Sequence, residues 1–310
     1  MRHRIPLPRR LGESFHVRDA ATLGVSRART DAKDLHRPFH GVRSLTAAST
    51  FEEHVEVYRP RLRDGQRLAG LTAARLWGLP VPPRWSPAEP IDIAVATEKA
   101  PPETVGVRGR RLALARSDTW KVRGLPVVDA DAACFTTAPL LSLDDAVIML
   151  DALVTTAHNY PGRAPRRPLS TLERVEARLE LWGRFPGSRT IRGALPLVRE
   201  RVESPKETQT RLAIMAAGLP EPVVQYEVRL GGILIARTDL AYPRLRIAIE
   251  YEGDGHRTDR AQWRTDIRRQ RELEDLGWIV IRMTEHDLRE GLASFLTRVR
   301  RAIAARNARS

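Results

Sequence analysis

Thr238-Asp239, followed by Ile247-Ala248-Ile249-Glu250-Tyr251-Glu252-Gly253-Asp254-Gly255-His256, is the stretch on which the fold turns. It sits in two expected strands, Ile233–Leu240 and Arg246–Glu252. Strand side chains alternate, so Glu250 and Glu252 share one face while Ile247, Ile249 and Tyr251 share the other. Asp239 lies near the end of the preceding strand, where pairing of the two strands would bring it beside Glu250. Two acids on one strand beside a third, with apolar residues behind, supply rigid oxygen ligands for a hard cation such as Mg²⁺ or Mn²⁺. Such an ion polarises a phosphodiester and lowers the pKa of an attacking water. The same pattern also describes a one-sided sheet whose polar face meets solvent.

Around this stretch the order of elements is regular. A helix over 206–217 ends at Gly218, ahead of Pro220. Val223–Arg229 is a strand, and Gly231-Gly232 is a hairpin turn into the next. Thr258–Leu276 forms a long helix and Trp278–Met283 a last strand. The helix and the Arg257 before it carry Arg264 and Arg268 among six arginines that could track a phosphate backbone or simply be a solvated face; Trp263, Ile267, Leu273 and Leu276 form the helix's buried stripe. Further upstream, residues 158–169 are rich in Pro, Gly and Arg and form a linker. Helices are expected over 142–154, from Ser170 with Glu173 as a capping box, and over 189–199. Strands are expected at 91–95, 111–114 and 125–128, and a helix over 68–79. Residues 15–29 are a short helix, a turn at Gly24 and a second helix capped by Ser26, with Phe39–Arg43 as a small strand in the position of a wing. Arg27 and Arg29 would then lie near the start of the second helix, where major-groove readers carry their contacts, and Arg43 on the wing.

The chain has 310 residues and a formal charge of +14, and 48 of its 52 basic residues are arginine. Arginine stays charged and grips phosphate with a bidentate fork, so the excess suits nucleic acid. An arginine-heavy composition with no partner is the plain alternative. The density is highest in residues 1–44, with ten basic residues against four acids. One cysteine, Cys134, excludes a disulfide framework and a thiolate zinc cluster. Charge interrupts every hydrophobic run before about 18 residues, and the N-terminus has no apolar core of a signal peptide, so a cytoplasmic protein with no membrane partner is expected. No P-loop, GxSxG, HExxH or dinucleotide fingerprint is present.

Residues 204–288, from SPKETQTRLAIMAAGLP through RTDL and IAIEYEGDGH to TEHDL, resemble a domain family related to the very-short-patch-repair endonucleases, within the PD-(D/E)XK superfamily. The resemblance implies an α-β-β-β-α-β core, with Asp239 and Glu250 as the acidic pair, Glu207 as an additional acid and His256 moving protons. The superfamily lysine, two residues past the acid, falls on Glu252, which the resemblance allows as a third carboxylate. Residues from about 10 to 155, through VRDAATLGVSRAR, HGVRS, LTAARLWGLPVP and VRGLPVVDADAACFTT, resemble AbiEi-type antitoxins and transcriptional regulators. These imply an N-terminal winged helix that binds DNA and a following α/β domain.

The expected protein is a multidomain α/β chain: a winged helix over 1–45, a central α/β domain over 46–157, linker and helices over 158–203, and an endonuclease-like domain over 204–310. Its expected function is DNA binding with Mg²⁺-dependent hydrolysis of phosphodiesters, Asp239, Glu250 and Glu252 holding the ion. The alternative is a non-catalytic DNA-binding regulator with a toxin partner.

Overall fold

The computed structural model describes residues 5–158, 160, 167–252 and 260–308, with backbone alone at 260–267. The protein is a mixed α/β chain of several sheets and many short helices. It divides into two compact units that interleave in sequence: one of residues 1–141 and 173–188, the other of 142–172 and 189–310.

The first unit opens with β1 (Ser14–His16), α1 (Val17–Thr22), α2 (Arg27–Thr30) and β2 (Val42–Ser44), β1 and β2 pairing antiparallel. His16 caps α1, its Nδ1 accepting from the Arg18 N–H, and the Ser26 hydroxyl caps α2. Leu11, Phe15, Ala20 and Leu35 close a small core beneath them. Next come α3 (Phe51–Tyr58), opened by a Thr50/Glu53 capping box, then β3 (Arg67–Leu68) and α4 (Gly70–Leu76). A six-stranded mixed sheet follows from β4 (Ile91–Val95), β5 (Glu103–Thr104), β6 (Val107–Arg111), β7 (Thr119–Val122) and β8 (Leu125–Val128), in the order β5-β6-β4-β3-β8-β7. The strand expected at 111–114 lies at 107–111 instead, because Val107–Arg111 pairs parallel with Ile91–Val95. Asp129 caps α5 (Ala130–Thr137), which is buried along its length.

α6 (Leu143–Val154) begins the second unit with a Ser142/Asp145 capping box. α7 (Leu172–Trp182) returns to the first unit. There Arg178 and Arg174 reach the buried Asp129 and Asp131, and Trp182 packs on Phe135. Its first residue is Leu172, one position later than a cap at Ser170 would place it, and the buried Ser170 hydroxyl has no hydrogen-bond partner among the described residues. These anchors explain why the partition departs from one split at the linker.

The second unit continues through α8 (Ser188–Ala194), α9 (Pro205–Ala216), β9 (Val223–Leu230), β10 (Ile233–Tyr242), β11 (Ile247–Glu252), α10 (Arg260–Asp275), β12 (Ile279–Thr284), α11 (Glu285–Arg289) and α12 (Leu292–Asn307). The sheet order is β12-β11-β10-β9, antiparallel except for β11 with β12. Gly231 and Gly232 both have positive φ, the conformation a two-residue hairpin turn demands. Ile247 and Ile249 face a core with Ile214 of α9 and Phe295 and Val299 of α12. Ala248 faces the other, with Leu273 of α10 and Trp278.

Candidate functional site

Register brings the acids together. β10 and β11 pair Leu240 with Ile249 and Tyr242 with Ile247, so Asp239 stands next in line against Glu250. Asp239 Oδ2 accepts from the Tyr251 N–H at 2.8 Å. Glu207 enters from the first turn of α9. Its carboxylate accepts from the Ser204 hydroxyl at 2.9 Å, the Glu203 N–H at 2.9 Å and Gln225 Nε2 at 2.8 Å.

The electrostatics follow from gathering like charges out of water. Burial raises Glu207 to about 7, with the Asp239 charge adding to it. Burial also raises Asp239 to about 6; the Tyr251 N–H opposes this, while the Glu250 and Glu203 charges reinforce it. Glu250 is answered by Arg269 of α10, with Nη2 3.0 Å from Oε1. Glu252 is drawn off differently: Arg282 of β12 donates to its Oε2 at 3.0 Å and to Gln270 Oε1 at 2.6 Å. Glu207, Asp239 and Glu250 thus form a chain of mutually repelling acids, and Glu252 stands outside it in an ion pair. Among the described residues no three His, Cys, Asp or Glu side chains are close enough to make a ready metal cluster. His256 lies outside the described residues.

Lys206, the last lysine of the chain, adjoins Glu207 but is committed elsewhere. Its Nζ pairs with Glu285 at 2.7 Å, and the Tyr251 hydroxyl donates to the same oxygen at 2.7 Å. These bonds hold Glu285 down at about 2.

Sequence reasoning overlooks Gln225. Within Val223–Leu230 it alternates with Val224 and Tyr226 and reads as an outward polar residue. Instead it is 3% exposed and has a left-handed backbone, φ +49°. Arg269 and Arg282 are overlooked for another reason: only the assembled sheet and α10 show which acid each arginine meets.

The N-terminal arginines divide. Arg27 is 95% exposed, with Nε 3.5 Å from Asp31. Arg29 turns inward, forming a fork on Asp34 at 3.1 Å and donating to the Ile5 carbonyl at 2.7 Å. Arg43 donates to the Thr30 and Val42 carbonyls and to Asp31. Arg29 and Arg43 are thus both engaged within their own domain. In α10, Arg268 is exposed and lies 3.9 Å from Glu272, while only the backbone of Arg264 is described.

No family model matches the chain. Two curated relatives from Mycobacterium tuberculosis, Uncharacterized protein Rv2248 of strain H37Rv and Uncharacterized protein MT2308 of strain CDC 1551, are each 33% identical over 110 residues. That segment is 36% of this chain and 41% of theirs, so the match spans about two fifths of the relatives' length. Among solved structures the chain is similar to the RV2827C protein of M. tuberculosis, at 18% identity over 71% of this chain and 84% of that one. The TM-score is 0.36, too low to carry any argument about fold or site.

Proposed function

We propose that this is a DNA-binding protein whose second unit carries a metal-dependent phosphodiester-hydrolysing site of the PD-(D/E)XK kind. The observation that carries this reading is the convergence of Glu207, Asp239 and Glu250 from a helix and two adjacent strands, with two of the acids raised by burial and repulsion. Gathering like charges is costly in a scaffold and useful to a cation. The element order α9-β9-β10-β11-α10-β12 supports the same reading.

The donor set fits a divalent cation such as Mg²⁺ or Mn²⁺ in part. Asp239 and Glu250 are hard oxygen donors on neighbouring strands and would hold it. Glu252 would join only by leaving Arg282. A bound cation supplies Lewis acidity toward a phosphodiester oxygen and its water. Glu207, half-protonated near neutral pH, is suited to accept a proton near Asp239. Arg269 pairs with Glu250 where the ion would sit. His256 would move protons, activating water or donating to the leaving group, as the resemblance implies.

A second reading, a DNA-binding regulator of the antitoxin type with a toxin partner, rests on a specific observation. The position of the superfamily lysine is Glu252, and both Glu250 and Glu252 are paired with arginines. The test is nicking of supercoiled plasmid by the full chain in Mg²⁺, Mn²⁺ or chelator. Cleavage that needs the metal and disappears in Asp239→Ala, with DNA affinity kept, supports hydrolysis. Binding without metal-dependent cleavage favours the regulator. Among the described residues no helix is long and apolar enough to cross a membrane.

A further inference from the structure

The first unit holds a cleft of about 740 Å³ between the short N-terminal helices and the turn that joins β5 to β6. Four arginines line it, Arg18, Arg27, Arg37 and Arg43, against one acid, Asp31. Three of their guanidiniums converge on that carboxylate: Arg43 at 2.8 Å, Arg27 at 3.5 Å and Arg37 at 3.6 Å. Arg37 also donates to the Asp31 carbonyl at 2.6 Å. Arg43 is mostly buried and fastens Asp31 in place. Arg27 and Arg37 are exposed and keep donors for a ligand, so the cluster carries excess positive charge.

The opposite lip is built with equal definition. Gly106, at φ +78°, lies so near Phe39 that a Cβ there would come within 3.2 Å of the ring, and its carbonyl accepts from the Ile91 N–H at 2.9 Å. Phe39 in turn packs on His54 and Tyr58, with ring centroids 5.1 and 5.0 Å away. This bracing holds Val105 out at the lip, 92% exposed. A rim of exposed guanidiniums facing a braced apolar lip matches a strand whose phosphates alternate with less polar sugars.

We propose that this cleft grips the phosphodiester backbone of DNA, with Arg27 and Arg37 on the phosphates and the β5–β6 turn as the second wall. The inference rests on the DNA-binding half of the reading above and extends it. The interface is shared between the N-terminal segment and the six-stranded sheet, and Asp31 acts as a positioning residue for the arginines.

The experiment is fluorescence anisotropy of a labelled duplex with the full chain, between about 50 and 200 mM salt. Val105→Glu, a change at a side chain that is almost entirely in water, is expected to weaken binding about ten-fold while leaving the thermal melt unchanged. The Arg27→Ala/Arg37→Ala double variant is expected to lower the slope of log K against log salt by about two. In a calorimetric arm, inorganic pyrophosphate is expected to bind weakly and to be displaced by duplex. Duplex binding by both variants at the unaltered affinity and slope would overturn the proposal while leaving DNA binding standing. Saturable pyrophosphate binding that duplex does not displace would make this a small-anion site and overturn it as well. A chain that binds no duplex at low salt would overturn both this inference and the DNA-binding reading.

Discussion

Gln225 stands across the β9–β10 ladder from Asp239, yet its amide bonds Glu207, with Nε2 2.8 Å from Oε2. The ladder pairs Tyr226 with Thr238 and Val224 with Leu240, and passes over the two residues between them. The left-handed backbone of Gln225 accounts for this. It breaks the two-residue alternation, so Val224 packs with one core and Tyr226 and Val228 with the other. A non-glycine residue held there costs on the order of 1 kcal/mol, which the buried hydrogen bond offsets. Gln225→Leu keeps the strain and strips a donor from a buried carboxylate, so a loss of about 1–3 kcal/mol is expected in urea unfolding. Gln225→Gly loses the same bond but relieves the strain, and is expected to lose less. Equal losses would show that the backbone at 225 stores no strain.

Glu207 and Asp239 make stability depend on pH in a definite direction. Their folded values, about 7 and about 6, lie above those of unfolded carboxylic acids. The folded chain therefore binds more protons than the unfolded one between about pH 4 and 7. The contribution of the pair is full below that window and is lost as pH rises through it. Glu207→Gln/Asp239→Asn removes the titration. The wild type is expected to lose on the order of 4 kcal/mol more than this double variant between about pH 4.5 and 7.5. Parallel urea midpoints for the two chains across that range would refute the coupling.

Arg211 is a purely structural counterpart. It is fully buried, with Nη2 3.0 Å from the equally buried Asp151 and Nη1 2.8 Å from Glu221. Asp151 also accepts from the Thr208 hydroxyl at 2.8 Å and the Arg199 N–H at 2.7 Å, and burial raises it to about 6. Arg211→Ala strands a buried carboxylate, and about 3–5 kcal/mol of stability is expected to go at neutral pH. At about pH 5 the loss is expected to shrink, because Asp151 can then be neutralised by a proton. A loss independent of pH would mean that packing, not charge, is what Arg211 supplies.

Legibility in the sequence followed the range of the forces involved. The β9–β10 hairpin was readable at Gly231-Gly232, because the turn itself demands positive φ there. The meeting of Asp239 and Glu250 was readable because the connection between their strands is short and register follows from it. Gln225 was not, since nothing local marks a glutamine that will adopt a left-handed backbone. The ion pairs of Arg29 and Arg43 were not readable either, because an arginine that pairs within its own domain has the same spacing as one facing a groove. The interleaved units were hidden for a similar reason. Asp151 meets Arg211, and Arg178 meets Asp129, only through long-range pairing.

Arg269 offers the sharpest view of whether the acids await a cation. Its guanidinium lies 3.0 Å from Glu250 and lowers Asp239 through its charge, so it occupies electrostatically the place that a divalent ion would take. If Asp239 and Glu250 form a cation site, Arg269 competes with the ion. Arg269→Ala is then expected to bind Mn²⁺ several-fold more tightly than the wild type, measured by calorimetry on the full chain. It should also gain more thermal stability from saturating metal, since ligand affinity for the folded state adds directly to its stability. Asp239→Asn is expected to abolish both effects. A purely structural ion pair predicts the reverse: Arg269→Ala would be destabilised, and Mn²⁺ would not restore it. The sign of the change in metal affinity separates the two, because only a shared site makes removal of a cation favour the arrival of another.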